Sequence, residues 1–236
     1  MNPACGSPES SVNGSQHNTP ERPCFALRHP PRPDARLTIE VATTNQEILD
    51  LFQATGAYLQ GHFRLTSGLH SPAYLQCALV LAHPPHAESL GQALAAAIAS
   101  ASTETPNLVV SPAMGGLIIG HEVARALGVR HIFTERDADR RMSLRRGFSV
   151  SASDRVVVVE DVITTGGSTA EVVRLLESQG AKVLAAGSII DRSGGGADVG
   201  VPRVALATLT VQTWDPAACP LCAQGSEAIK PGSRPV

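Results

Sequence analysis

Val156-Val-Val-Val-Glu160-Asp161-Val-Ile-Thr164-Thr165-Gly166-Gly167-Ser168-Thr169 runs from a wholly apolar segment through two acids into a turn of hydroxyls and glycines. Four consecutive valines predict a strand buried on both faces. Thr164 to Thr169 then predict a tight turn that opens a helix, where backbone N–H groups converge at the positive helix end and hydroxyls add further donors. Such a cradle suits a phosphate monoester. Two carboxylates just upstream would repel a bare anion, so they must face hydroxyls, a developing cation or a metal carried by the ligand. A phosphorylated sugar meets all three conditions. The stretch lacks the Gly-Lys-Ser/Thr of a Walker loop and the Gly-x-Gly-x-x-Gly of a dinucleotide site, so neither an NTP nor an NAD reading is supported.

On either side of this stretch strands and helices alternate. Asn107 to Ser111, Val129 to Phe133, Arg155 to Val159 and Lys182 to Ile190 read as strands. Glu88 to Ala101, Gly116 to Leu127 (closed by Gly128) and Ser168 to Gln179 (closed by Gly180) read as helices. Upstream, Thr44 and Glu47 have capping-box spacing for a helix with Ile48, Leu51 and Phe52 as its apolar stripe and Gly56 at its end. His62 to Leu65 and Ala73 to Leu81 read as extended segments around the turn-rich Ser67 to Pro72, a hairpin. The pattern predicts an α/β fold with a mainly parallel sheet covered on both faces. Its chemistry belongs in the loops after Val110, Phe133, Val159 and Ile190, because ligands of such sheets bind beyond the carboxyl ends of the strands.

Composition narrows the partners. The chain has 236 residues, 43% hydrophobic, 17% charged and only 3% aromatic, with a net charge of -2 and a pI near 6.4. A general polyanion binder or an aromatic stacking platform for nucleic acid is not expected. Nor does any apolar run reach the roughly 18 residues of a membrane span, and no secretory signal is read at the amino terminus. With five scattered cysteines, a reducing, cytoplasmic setting is expected. Residues 1–36 hold prolines at 3, 8, 20, 23, 30, 31 and 33 among Ser, Asn and Gly, and read as a disordered extension, either dispensable or a partner-binding tail, between which composition does not choose.

The stretch at 156–169 resembles the signature of the type I phosphoribosyltransferases, which bind phosphoribosyl pyrophosphate (PRPP). The resemblance sharpens with Gly61-His-Phe-Arg-Leu-Thr-Ser-Gly-Leu-His-Ser-Pro-Ala-Tyr74, Ser111-Pro-Ala-Met-Gly-Gly-Leu-Ile-Ile-Gly120, Glu135-Arg136 with Leu144-Arg-Arg-Gly147, Asp191-Arg192, Cys219-Pro-Leu-Cys222 and Lys230-Pro-Gly-Ser-Arg234. Jointly these are similar to the orotate phosphoribosyltransferases, over about residues 44 to 234. What the resemblance implies is a type I phosphoribosyltransferase fold with a small hood, divided as hood at 37–84, core at 85–215 and tail at 216–236. It also implies transfer from PRPP to orotate in pyrimidine (UMP) synthesis, Mg²⁺ delivered with PRPP, and a homodimer.

By that resemblance Glu160, Asp161, Val162, Ile163, Thr164, Thr165, Gly166, Gly167, Ser168 and Thr169 bind PRPP, the acids also stabilising the transition state. Met114, Gly115 and Gly116 serve the pyrophosphate. Several relatives carry a lysine where Gly115 stands, so backbone N–H groups must act here instead.

Residues 134–148 hold Arg136, Arg140, Arg141, Arg145 and Arg146 and read as a mobile basic lid, too polar for a packed element. In relatives this loop reaches the neighbouring subunit with lysines and a histidine. Here arginine must substitute, with Arg136, Arg140 and Arg141 as catalytic candidates.

Arg192 suits bidentate capture of the orotate carboxylate, with Thr164, Phe63 and Tyr74 as further orotate contacts. Phe63 and Tyr74 read equally well as core aromatics. Cys219 and Cys222 have knuckle spacing without a second pair, and no histidine spacing marks a protein-bound metal centre, so a structural tail is expected. The rival readings are a purine phosphoribosyltransferase and a non-catalytic PRPP-sensing regulator.

Overall fold

The computed structural model describes residues 44–65 and 67–230. The expected amino-terminal extension, Thr66 and the last residues of the Lys230 to Arg234 motif lie outside them. Thr44 accepts from the Glu47 amide while the Glu47 carboxylate accepts from the Thr44 amide at 2.7 Å, and this capping box starts α1 (Asn45–Ala54). The hairpin follows as β1 (Tyr58–Arg64) and β2 (His70–Leu75), an antiparallel two-stranded sheet of its own. The expected strand over Ala73 to Leu81 is corrected in its second half. Cys77–Leu81 is a helical turn, α2, that buries Cys77, Val80 and Leu81. Five consecutive apolar residues carry no period, and burial at i, i+3 and i+4 decided for helix.

The remaining elements are α3 (Pro84–Ala101), β3 (Leu108–Pro112), α4 (Gly116–Leu127), β4 (Arg130–Arg136), β5 (Met142–Leu144), β6 (Arg155–Ile163), α5 (Gly167–Ser178), β7 (Lys182–Asp191), β8 (Arg203–Thr208) and α6 (Pro220–Ala223). The six-stranded sheet has the order β5-β4-β3-β6-β7-β8. β3, β4, β6, β7 and β8 are parallel, and only β5 pairs antiparallel, at the β4 edge. From β3 the chain winds outward to β4, and from β6 it winds the other way to β7 and β8. The topological switch point therefore falls between β3 and β6.

β6 shows how the valine run works. Val157 and Val159 belong to the core shared with α1, α3 and α4, while Val156 and Val158 belong to the core under α5. All four are fully buried, each stabilising the fold by about 1.5–3 kcal/mol through apolar area removed from water. The period of two carries forward and sends the next two residues to opposite faces. Glu160 goes to the α5 side and Asp161 to the side of α4 and the hood.

Residues 134–148 correct the expectation of an irregular lid. β4 runs on to Arg136, Asp137 organises a turn by accepting from the Asp139 and Arg141 amides at 2.9 Å each, and β5 returns with Met142 buried. The arginines are held at the surface of this hairpin: Arg136 on Glu171 at 3.1 Å, Arg141 on Asp139 at 2.7 Å and Arg146 on Glu135 at 2.8 Å. Their stems and ion pairs let so polar a segment adopt strand pairing.

Candidate functional site

At the carboxyl ends of β3, β6 and β7 a cavity of about 950 Å³ opens beneath the β1–β2 hairpin. Its floor is the switch point, where the helix starts of α4 and α5 converge. α5 opens on Gly166 at φ +79, with no side-chain cap on its first amides. Only glycine holds that φ without strain, and a Cβ there would stand 2.8 Å from the Val199 side chain. Thr164, Thr165 and Ser168 line the cavity beside those amides. The arrangement has the donors and positive dipole end that a phosphate needs. α4 opens on Gly115, likewise without a side-chain cap, and Met114 and Gly115 line the opposite wall.

Between the two helix starts stands Asp161. Burial pushes its carboxyl above the ordinary aspartate value, against the pull of the Val162 amide, which donates to it at 2.9 Å. Gly115 packs so tightly on this carboxylate that a Cβ would meet Asp161 Oδ1 at 2.5 Å. The side chain expected from relatives with a lysine here has no room while Asp161 keeps this position. Glu160 does not line the cavity. It accepts a short hydrogen bond from the fully buried Thr169 hydroxyl beneath α5, and burial pushes its pKa up to about 7. The acidic pair is thus two carboxylates on two faces of one strand, with Asp161 open to a ligand.

Arg192 completes the wall at the end of β7. Its neighbour Asp191 is taken up by Arg203, by the Ser193 amide at 2.7 Å and by the Ser193 hydroxyl at 2.6 Å. No carboxylate among the described residues pairs with Arg192, and its Nε is buried without a hydrogen-bond partner. Burial lowers the guanidinium's pKa, with Tyr74 and Tyr58 opposing. A half-buried guanidinium on a cavity wall, with one nitrogen desolvated and no carboxylate beside it, is stabilised when an anion arrives. Across from it Tyr74 lines the cavity, whereas Phe63 packs behind Tyr74 with ring centroids 5.9 Å apart and is absent from the lining. Gln76, Cys77, Val211 and Thr213 also line the cavity, and the sequence reading did not single them out. Val211 and Thr213 follow β8, an edge strand that the sequence reading missed.

Residues 80–215 match the family model for the phosphoribosyl transferase domain. The chain is 53% identical over 191 residues to the orotate phosphoribosyltransferase of Desulforamulus reducens, covering 81% of this chain and 98% of that one. This chain belongs to the orotate phosphoribosyltransferase family. The family member from Pelotomaculum thermopropionicum is also 53% identical, over 193 residues that cover 82% of this chain and 100% of that one. The crystal structure of orotate phosphoribosyltransferase from Aeropyrum pernix has the same fold, with a TM-score of 0.56 at 27% identity over 69% of this chain and 93% of that chain. The type I phosphoribosyltransferase fold expected from the sequence is therefore the fold observed. No helix among the described residues is long and apolar enough to cross a membrane.

None of Arg136, Arg140, Arg141, Arg145 and Arg146 lines the cavity of its own chain. Cys219 and Cys222, which lacked a second pair in sequence, meet His62 and His70 of the hairpin.

Proposed function

We propose that the cavity binds PRPP and orotate together and transfers ribose 5-phosphate to the base, giving orotidine 5′-monophosphate and pyrophosphate for pyrimidine nucleotide synthesis. The observation that carries this reading is the half-buried Arg192, which has no carboxylate partner among the described residues and lines the same cavity as Asp161, beside the uncapped start of α5. A carboxylate on the base would satisfy it in a bidentate pair. A purine would leave it desolvated and unpaired, which disfavours the purine reading.

In this assignment Thr164 to Thr169 and the α5 amides hold the 5′-phosphate, with Val162 and Ile163 leading into that loop. Met114, Gly115 and Gly116 at the α4 start hold pyrophosphate. Asp161 takes the ribose hydroxyls and stabilises the positive charge that develops as the bond from the anomeric carbon to pyrophosphate breaks and the bond to the base nitrogen forms. Glu160 sets the loop through Thr169 and lies one residue from the hydroxyls. Thr164, Tyr74 and, behind it, Phe63 shape the orotate end. Asp161 is one carboxylate beside open hydroxyl donors, which fits a Mg²⁺ that travels on PRPP oxygens and keeps its waters. The ion would neutralise pyrophosphate charge.

Hood, core and tail divide the work, the hood covering the base and the core holding PRPP. Since the hairpin arginines sit outside their own cavity, Arg136, Arg140 and Arg141 act on the cavity of a second copy in a homodimer, neutralising the departing pyrophosphate. The setting is the cytoplasm.

The test is consumption of orotate against adenine, hypoxanthine and uracil with PRPP and Mg²⁺, beside Asp161→Asn. Loss of orotate alone, abolished by chelator and strongly slowed in the variant, is the expected result. PRPP binding with no base consumed would overturn it in favour of a sensing regulator.

A further inference from the structure

The hood also holds a second cluster, made of residues that do not line the cavity. His62 on β1, His70 on β2, Cys219 and Cys222 each offer one ligand atom, and all four atoms lie within 4.8 Å of one another. His62, His70 and Cys219 are buried. His62 Nε2 is 2.9 Å from His70 Nδ1, 3.5 Å from Cys219 Sγ and 3.8 Å from Cys222 Sγ, and Cys222 Sγ is 3.3 Å from His70 Nδ1. Tetrahedral zinc with ordinary Zn–N and Zn–S bonds requires N···N, N···S and S···S edges of about 3.3, 3.5 and 3.8 Å. The four separations fall around the N···N and N···S edges, and all six lie within 4.8 Å.

The surroundings support the same ligand. His62 Nδ1 lies 3.0 Å from the Ser226 carbonyl oxygen. A proton on Nδ1 would be donated there and would leave the Nε2 lone pair aimed at the cluster, the outer-shell arrangement usual for a metal-bound histidine. Cys219 caps the short α6 and Cys222 lies within it, so the Cys-Pro-Leu-Cys knuckle presents both sulfurs from one turn. Two soft sulfurs with two imidazoles select zinc over magnesium or calcium.

We propose that His62, His70, Cys219 and Cys222 bind one Zn²⁺ in a closed, structural site. The site clasps the hood to the carboxyl-terminal tail. Main-chain pairing already joins the same two parts: His70 and Trp214 exchange two hydrogen bonds at 2.8 and 2.9 Å, the Arg64 amide donates to the Ile229 carbonyl at 2.8 Å, and the Ile229 amide donates to the His62 carbonyl at 2.9 Å. Those four bonds are exposed to fraying unless something holds the tail. Four protein ligands fill a tetrahedral zinc and leave no position for substrate, so the ion has no part in the transfer reaction.

The experiment uses the full chain without an affinity tag, purified without chelator. Elemental analysis should find about one zinc per chain. After removal under reducing conditions, Co²⁺ should bind one-to-one with the visible spectrum of tetrahedral, thiolate-ligated cobalt. Cys222→Ser, at an exposed position, and His62→Ala should each lower the metal content at least several-fold, and Cys219→Ser with Cys222→Ser should abolish it. Metal removal should speed hydrogen exchange in residues 58–75 and 214–229 while leaving 156–169 unchanged. Protein free of zinc that takes up no Co²⁺, a Cys219–Cys222 disulfide in the freshly isolated chain, undiminished metal in the double variant, or unchanged exchange in the hood and tail would each overturn the proposal.

Discussion

Replacing Glu160 by glutamine should make the protein more stable at pH 8 than at pH 5 relative to the parent chain. Glu160 is pushed up to about 7 by burial, from an ordinary value of 4.5, with Thr169 and Arg136 opposing and Asp161 adding to the rise. Because the folded state holds this proton more tightly than the unfolded chain, the contribution is fully present below pH 4.5 and is lost as pH rises through 7. At about 1.4 kcal/mol per pH unit of mismatch, the loss between pH 5 and pH 8 is about 2 kcal/mol. Glutamine keeps the shape and still accepts from the Thr169 hydroxyl, so it removes the buried charge and little else. Chemical denaturation of the ligand-free protein and of Glu160→Gln, at both pH values, isolates the effect. Groups that do not interact with Glu160 cancel in the difference, and the coupling to Asp161 and Arg136 is part of what the difference measures. The variant's advantage should grow by about 2 kcal/mol from pH 5 to pH 8, roughly 4–8 °C in Tm for a chain of this size. An advantage of the same size at both pH values would refute the reasoning, because the carboxyl would then titrate as in water.

Gly115→Ala places a methyl 2.5 Å from Asp161 Oδ1 at a backbone φ of -56 and ψ of -41 that any residue adopts. Activity should fall at least about tenfold, as when a placed charge stabiliser is lost, with Tm unchanged within a few degrees. Arg192→Ala should raise the KM for orotate roughly 10–100-fold, the worth of a charge-assisted pair, while PRPP affinity measured by calorimetry holds. Arg192→Lys should recover only part, because an ammonium lacks the fork. Mixing inactive Asp161→Asn with inactive Arg140→Ala/Arg141→Ala should restore about a quarter of parental activity through hybrid dimers carrying one intact site. No recovery after subunit exchange would place those arginines at their own chain's cavity or outside catalysis.

What could be read from sequence was local and periodic. The 156–169 stretch carries strand, turn and helix start within fourteen residues, and the period of two along its valines is enough to place Glu160 and Asp161 on opposite faces. The two acids still read as one pair in sequence, because adjacency suggests joint action and the direction of each face appears only when α5 and the hood are in place. β5 and β8 escaped for a different reason. Both are edge strands, and at the β5 edge the pairing with β4 is bordered by Arg136, Arg146, Glu135 and Glu171, whose ion pairs leave no apolar signal. The His/Cys cluster lay beyond reach altogether, since His62 and Cys219 stand 157 positions apart and meet only because the tail pairs back onto the hairpin. Arg192 is the intermediate case. Its position after a strand was legible, but its lack of a partner depends on Arg203 capturing Asp191 across two strands. A guanidinium without a carboxylate partner beside a satisfied aspartate is a relation between three side chains, and the proposed capture of a carboxylate rests on it.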